Sequence, residues 1–124
     1  MKDYVLLKII LGLLLFLPEA TYAIDPPIIT ATGNQTYCPS TSIKIVTGVT
    51  ITHDPSETGT DAIYIQISSG YVSGQDLLTL ANPLLHPTIT TSWSTLEGKL
   101  KLSSSTGIPV TYSDFEAAIK DVTF

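Results

Sequence analysis

The sequence predicts a mainly β protein: a β-sandwich with one short helix near its C-terminus, preceded by a cleavable signal peptide. Three observations predict it. The chain beyond residue 27 is rich in Thr, Ser, Ile and Val, a composition that suits a pleated, half-buried surface. Its apolar residues fall into short alternating segments separated by Pro and Gly clusters. Helical periodicity behind a capping signal is confined to residues 113–122.

The leader comes first. Lys2 and Lys8 place positive charge at the front, and Ile9 to Leu17 run apolar without a break. Pro18 and Glu19 end that run, and Thr21 and Ala23 supply small residues at the −3 and −1 positions of a cleavage site. Charged start, short apolar core and small-residue exit are the parts of a secretory signal peptide. A membrane span needs about 20 apolar residues. The stretch from Tyr4 to Leu17 is shorter than that and holds Lys8 inside it. Cleavage after Ala23 would leave a mature chain beginning Ile-Asp-Pro-Pro, secreted or held at the cell surface.

Residues 24–124 are enough for one small domain with a single core. Nine acids (Asp25, Asp54, Glu57, Asp61, Asp76, Glu97, Asp114, Glu116 and Asp121) face four lysines, with no arginine, and the net charge of the chain is −5. Nucleic-acid binding depends on cations that neutralise phosphates, so nucleic acid is excluded as a partner. The same balance argues against attraction to an anionic membrane. One cysteine, Cys38, cannot form an internal disulfide and reads as a small buried hydrophobe. One Cys and two His exclude a Cys/His zinc site.

Asp25-Pro26-Pro27 reads as a stiff extended lead-in. The segment 24–42 holds an edge strand at Ile28 to Ala31, and the domain proper spans 43–124. Ile43 to Ile51 reads as one strand, with Ile43, Ile45, Val49 and Ile51 on one face and a bulge at Gly48. From Ala62, the residues Ile63, Ile65 and Ile67 turn inward while Tyr64 and Gln66 turn outward. Leu77 to Leu80 is a short apolar run. Thr88 to Trp93 and Lys99 to Ser103 form a hairpin about a Leu96-Glu97-Gly98-Lys99 turn. Ser113-Asp114-Phe115-Glu116 reads as a capping box, with Ser113 as the cap and Glu116 reaching back to its amide. Phe115, Ala118, Ile119 and Val122 then form one buried helical face. Many strands and one late helix give the sandwich.

The residues Val49 to Asp54, Asp61 to Ile67, Leu77-Leu78-Thr79-Leu80, Ile89 to Trp93, Gly98-Lys99-Leu100-Lys101-Leu102 and Tyr112 to Phe124 carry a resemblance in their order. That order resembles the cadherin-like repeat domains, related to chondroitin-sulfate-proteoglycan repeats, of large bacterial surface adhesins. The whole is also similar to N-terminal modules of long surface proteins exported by Bacteroidetes-type bacteria. The resemblance implies an immunoglobulin/cadherin-like sandwich and a non-enzymatic role in spacing or presenting other domains. It implies as partners the other domains of a longer surface protein, or extracellular ligands such as glycans. The calcium motifs of true cadherins are absent from this chain. The pattern also continues to a closing strand beyond Phe124, so the expectation is an open strand edge beside Thr123 and Phe124, and self-association through it.

Candidate sites are few. Asp54, Glu57 and Asp61 lie in a Gly/Thr loop that reads first as a solvated connection between two strands, although the three acids could supply part of an oxygen shell for Ca2+. Otherwise no cofactor is expected. His53-Asp54 has no Gly-x-Ser-x-Gly elbow to join, and a triad is defined by geometry, not by adjacency. Asp114 and Glu116 read as first-turn helix acids. Trp93, Tyr37, Tyr64, Tyr71 and Tyr112 are candidate sugar-stacking residues, with Trp93 read as core. Exposed Tyr64 and Tyr71 would serve a carbohydrate-binding module, the alternative function. Asn34-Gln35-Thr36 is a formal N-glycosylation sequon.

Overall fold

The computed structural model describes residues 24–33, 35–36, 38 and 41–124. The leader at 1–23, Asn34 of the sequon and Tyr37 lie outside the described residues. Among the described residues no helix is long and apolar enough to cross a membrane.

The protein is mainly β, with one α-helix. Its strands are β1 (Ile28–Thr32), β2 (Gly48–Thr52), β3 (Gly59–Thr60), β4 (Ala62–Gln66), β5 (Thr79–Leu80), β6 (Ile89–Ser94), β7 (Lys99–Ser104), β8 (Val110–Thr111) and β9 (Val122–Thr123). A 3-10 turn covers Pro83–Leu85, and the helix α1 covers Tyr112–Lys120. All pairings are antiparallel: β1 with β2, β3 with β8, β5 with β9, and a three-stranded sheet in the order β4-β7-β6.

The three-stranded sheet follows from its alternation. Ile63, Leu102 and Thr91 lie in one register row, and Ile65, Leu100 and Trp93 in the next. Leu100 and Leu102 on the central strand are buried, as is Ile63, while Tyr64 and Gln66 are exposed. The β6–β7 hairpin forms where the sequence places it. Its turn depends on Gly98, whose φ is +60°. A Cβ there would also lie 2.7 Å from the Tyr71 ring, so only glycine lets that ring sit over the turn. Tyr71 meets Trp93 edge-on at 6.0 Å between ring centroids and donates its hydroxyl to the Thr95 carbonyl at 2.7 Å.

The helix face holds for Phe115 and Ala118, which are fully buried, and Ile119, nearly so; Val122, expected on the same face, is fully buried too but lies beyond the helix, in β9. The cap is displaced. Tyr112 is buried and continues the apolar stripe one turn earlier, so α1 begins there and Thr111 is its N-cap. The Thr111 Oγ1 accepts from the Asp114 amide at 3.1 Å, while Ser113 is exposed inside the first turn. Glu116 is thereby freed from the capping role expected of it. Its Oε1 accepts from the Ile51 amide in the middle of β2, at 2.6 Å.

This bond fastens α1 to β2 across 65 residues of sequence. Replacing Glu116 with Ala leaves a part-buried amide unpaired, a loss of about 1–3 kcal/mol. Chemical denaturation should show a drop in that range for E116A and a smaller one for E116Q, whose amide oxygen still accepts. A loss near zero for E116A would mean that water replaces the carboxylate freely.

The single strand expected over Ile43 to Ile51 is two pieces. Ile43 and Phe124 exchange both backbone hydrogen bonds, at 3.2 and 2.9 Å, Lys44 bridges Thr123, and Ile45 donates to Val122. The chain then breaks direction and Gly48 opens β2 against Thr32 of β1. Gly48 is a strand start, not a bulge. The edge expected to be open beside Thr123 is therefore occupied on both sides, by β5 and by residues 43–45. Cys38, read from sequence as buried, is exposed. Only Thr79–Leu80 of the run from Leu77 is strand, with Leu78 and Leu80 buried and Leu77 exposed.

Candidate functional site

Three side-chain groups carry polar chemistry. The first is the acidic loop between β2 and β4. The Asp54 carboxylate accepts from the amide and hydroxyl of Ser56, at 2.8 and 2.6 Å. Those bonds, chiefly the hydroxyl's, hold its pKa below the usual aspartate range. Glu57 accepts from the Tyr112 hydroxyl at 3.1 Å. Burial, reinforced by that carboxylate, pushes the Tyr112 phenol up. His53 stacks on the Tyr112 ring at 4.3 Å and its Nδ1 pairs with the Asp54 carbonyl. Asp61 is exposed, and its backbone carbonyl accepts from Ser104. Asp54 and Glu57 thus turn to separate partners. Among the described residues no group of three or more His, Cys, Asp or Glu side chains could hold a metal ion. The loop orders the approach to α1 through Tyr112.

The second group was not legible in the sequence. Asp121, the residue after α1, accepts from Lys44 Nζ at 2.8 Å and meets His86 Nε2 at 3.0 Å. His86 is 8% exposed and is the buried polar side chain of the core. The cluster joins residues 43–45, the 3-10 turn and the end of α1. Lys44 first, then His86, holds the Asp121 carboxyl below its ordinary value of 3.8.

A carboxyl depressed in the folded state favours folding above its unfolded pKa, and that contribution is lost as pH falls through the folded value. Stability should therefore drop at acid pH, below about pH 4. D121N should lose part of that acid dependence when thermal melts are compared between pH 2 and pH 6. A D121N melt curve with an unchanged pH profile would show that the carboxylate contributes nothing through ionisation.

The third group is the outward face of the three-stranded sheet. Tyr64, 58% exposed, lies in register with Lys101, and Gln66 with Lys99. The two ammonium groups sit 5.9 and 5.7 Å from the Tyr64 ring centroid, within cation–π reach. Lys99 also pairs with Glu97 at 2.9 Å, whose pKa that contact lowers. Thr90, Ser92, Ser94 and Ser103 complete the face by strand alternation. Among the described residues its strand positions carry no acid, and Glu97 in the adjoining turn is the carboxylate that meets Lys99. Among the sugar-stacking candidates, Tyr64 is open, Tyr71 and Trp93 are packed on each other, and Tyr112 is buried.

Two apolar clefts lie along β4. One, of about 320 Å³, is walled by Ile43, Ile45 and Phe124 across from Ile65 and Ile67. The other, of about 290 Å³, is walled by Ile29, Ile51 and Tyr112 across from Ile63. The chain matches no family model, no curated protein and no solved structure.

Proposed function

We propose that this chain is an exported, non-enzymatic module of the adhesin type, an immunoglobulin/cadherin-like β-sandwich that spaces or presents other domains at the cell surface. The architecture is the observation that supports it most. Short antiparallel strands and one helix pack over a single core, and the ordered polar groups serve as struts between elements. Glu116, Asp121 and Glu57 each tie distant segments together. A module that transmits position between neighbours needs such rigidity. The leader pattern from Lys2 to Ala23 supports export.

Deleting the codons for residues 24–124 while keeping the leader should abolish surface adhesion or domain display without removing any hydrolytic activity from the cells. Loss of an esterase, peptidase or glycosidase activity on deletion would favour an enzyme instead.

Carbohydrate binding is favoured as a second reading by one feature, the open Tyr64 ring between two lysines on a flat hydroxyl-rich face. Glycan-array binding that Y64A removes and Y64F keeps would support it. Binding unaffected by Y64A would discard it.

A further inference from the structure

We propose that the free edge of β4 accepts an extended peptide of a partner protein as a fourth strand of the β4-β7-β6 sheet, with apolar residues facing the clefts and acidic residues facing Lys99 and Lys101.

The backbone geometry comes first. Among the described residues β4 pairs only with β7. Asp61 accepts from Ser104 and Ile67 donates to Gly98, so the odd-numbered residues turn their backbone groups toward β7. In an antiparallel ladder the alternate residues point the other way. Ala62, Tyr64 and Gln66 therefore direct their N–H and C=O groups outward, with no backbone partner among the described residues. This is a template spaced for an incoming strand.

β1, β2 and β9 are guarded or paired; β6, like β4, contains neither a proline nor a charge, and what sets β4 apart is the two apolar clefts beside it. Pro26 and Pro27 precede β1. The Ile51 amide of β2 is taken by Glu116. The end of β6 is flanked by Tyr71 and by Ser73, both bonded to the Thr95 carbonyl. β9 is paired on both sides. Ala62 to Gln66 contain neither a proline nor a charge, the two common guards of an edge.

The side-chain chemistry then selects the occupant. In strand addition, main-chain bonds give affinity and pockets for alternate side chains give specificity. The two clefts open beside Ile63 and beside Ile65 and Ile67, at the two-residue period of a strand. Residues on the opposite side of the added strand would lie next to Tyr64 and Gln66, one strand from Lys101 and Lys99. Lys101 has no carboxylate within ion-pair distance among the described residues. That face complements acids and repels a basic strand.

The test is backbone amide exchange, read residue by residue by NMR on the chain as exported, with the probe peptide Thr-Val-Glu-Val-Glu-Val-Thr. Saturating peptide should slow exchange at Tyr64 and Gln66 by at least about tenfold. Thr-Val-Lys-Val-Lys-Val-Thr should bind at least about tenfold more weakly at low salt, with the gap closing as salt screens the lysines. A probe N-methylated at its glutamates, whose amides face β4 when the peptide adds antiparallel, should not protect them. Y64P should also abolish binding, because that amide faces away from β7, while Y64F should keep it. No protection at about millimolar peptide would overturn the proposal. So would binding of the lysine or the N-methyl probe as tight as that of the glutamate probe. Protection that rises with protein concentration and needs no peptide would also overturn it, in favour of two copies pairing edge to edge. Binding of glycans to Tyr64 would survive N-methylation tests and Y64F alike, so the two ideas fail separately.

Discussion

Replacing Phe115 with Ala is expected to lower the unfolding free energy by about 3–5 kcal/mol, the largest single effect in this protein. The ring is fully buried, among the largest of the fully buried side chains together with Leu102 and Val122. It sits on a nine-residue helix, too short to hold its conformation by propensity. Packing of Tyr112, Phe115, Ala118 and Ile119 against the strands is what keeps α1 helical. Removing the ring therefore opens a cavity and loosens the helix that carries Glu116 to Ile51. Denaturant melts and helical circular dichroism should fall together. A loss under about 1 kcal/mol would mean that the neighbouring side chains close over the gap.

Leu102→Ala is expected to cost about 2–5 kcal/mol, and its neighbour Lys101→Ala less than about 0.5 kcal/mol. Leu102 is fully buried in the core on the central strand, paired with Ile63 on one side and Thr91 on the other. Lys101 points to the opposite face one residue away. The contrast tests the inward/outward alternation on which both the core and the Tyr64 face depend. Similar losses for both variants would show that the register of β7 is shifted by one residue.

The elements legible in the sequence are those whose signal is local. β4 announces itself by Ile63 and Ile65 alternating with Tyr64 and Gln66. The β6–β7 hairpin is announced by its turn, and the helix face by the spacing of Phe115, Ala118 and Ile119, although the same spacing carries on to Val122, which is strand. The failures share one cause, which is that pairing partners lie far along the chain. Ile43, Ile45, Val49 and Ile51 satisfy a period of two whether they form one strand or two. Only the partner, β9 for the first pair and β1 for the second, decides that they form two. The cap moved because Tyr112 finds a buried place that local capping rules cannot see.

The Lys44–Asp121–His86 cluster spans 77 residues on one side and 35 on the other, beyond any motif. The open edge is expected beside Phe124 because the resembled pattern places a closing strand next. It lies instead on β4, since residues 43–45 return to cover β9. On the candidate site, sequence reasoning picked out Tyr64 as outward and aromatic. It did not foresee the two lysines over its ring, which depend on the register between β4 and β7, or the clefts beside β4, which depend on where residues 43–45, β1 and β2 come to lie.

Export to the cell surface, as proposed above, is tested by protease shaving of whole cells. Intact cells that make the protein would be treated with a protease that cannot enter them, and the protein in each fraction read by N-terminal sequencing and intact mass. The account predicts that the chain is lost from whole cells on protease treatment and that its N-terminus reads Ile-Asp-Pro-Pro, with the leader removed after Ala23. A protease-resistant protein that retains Met1 inside the cells would contradict it.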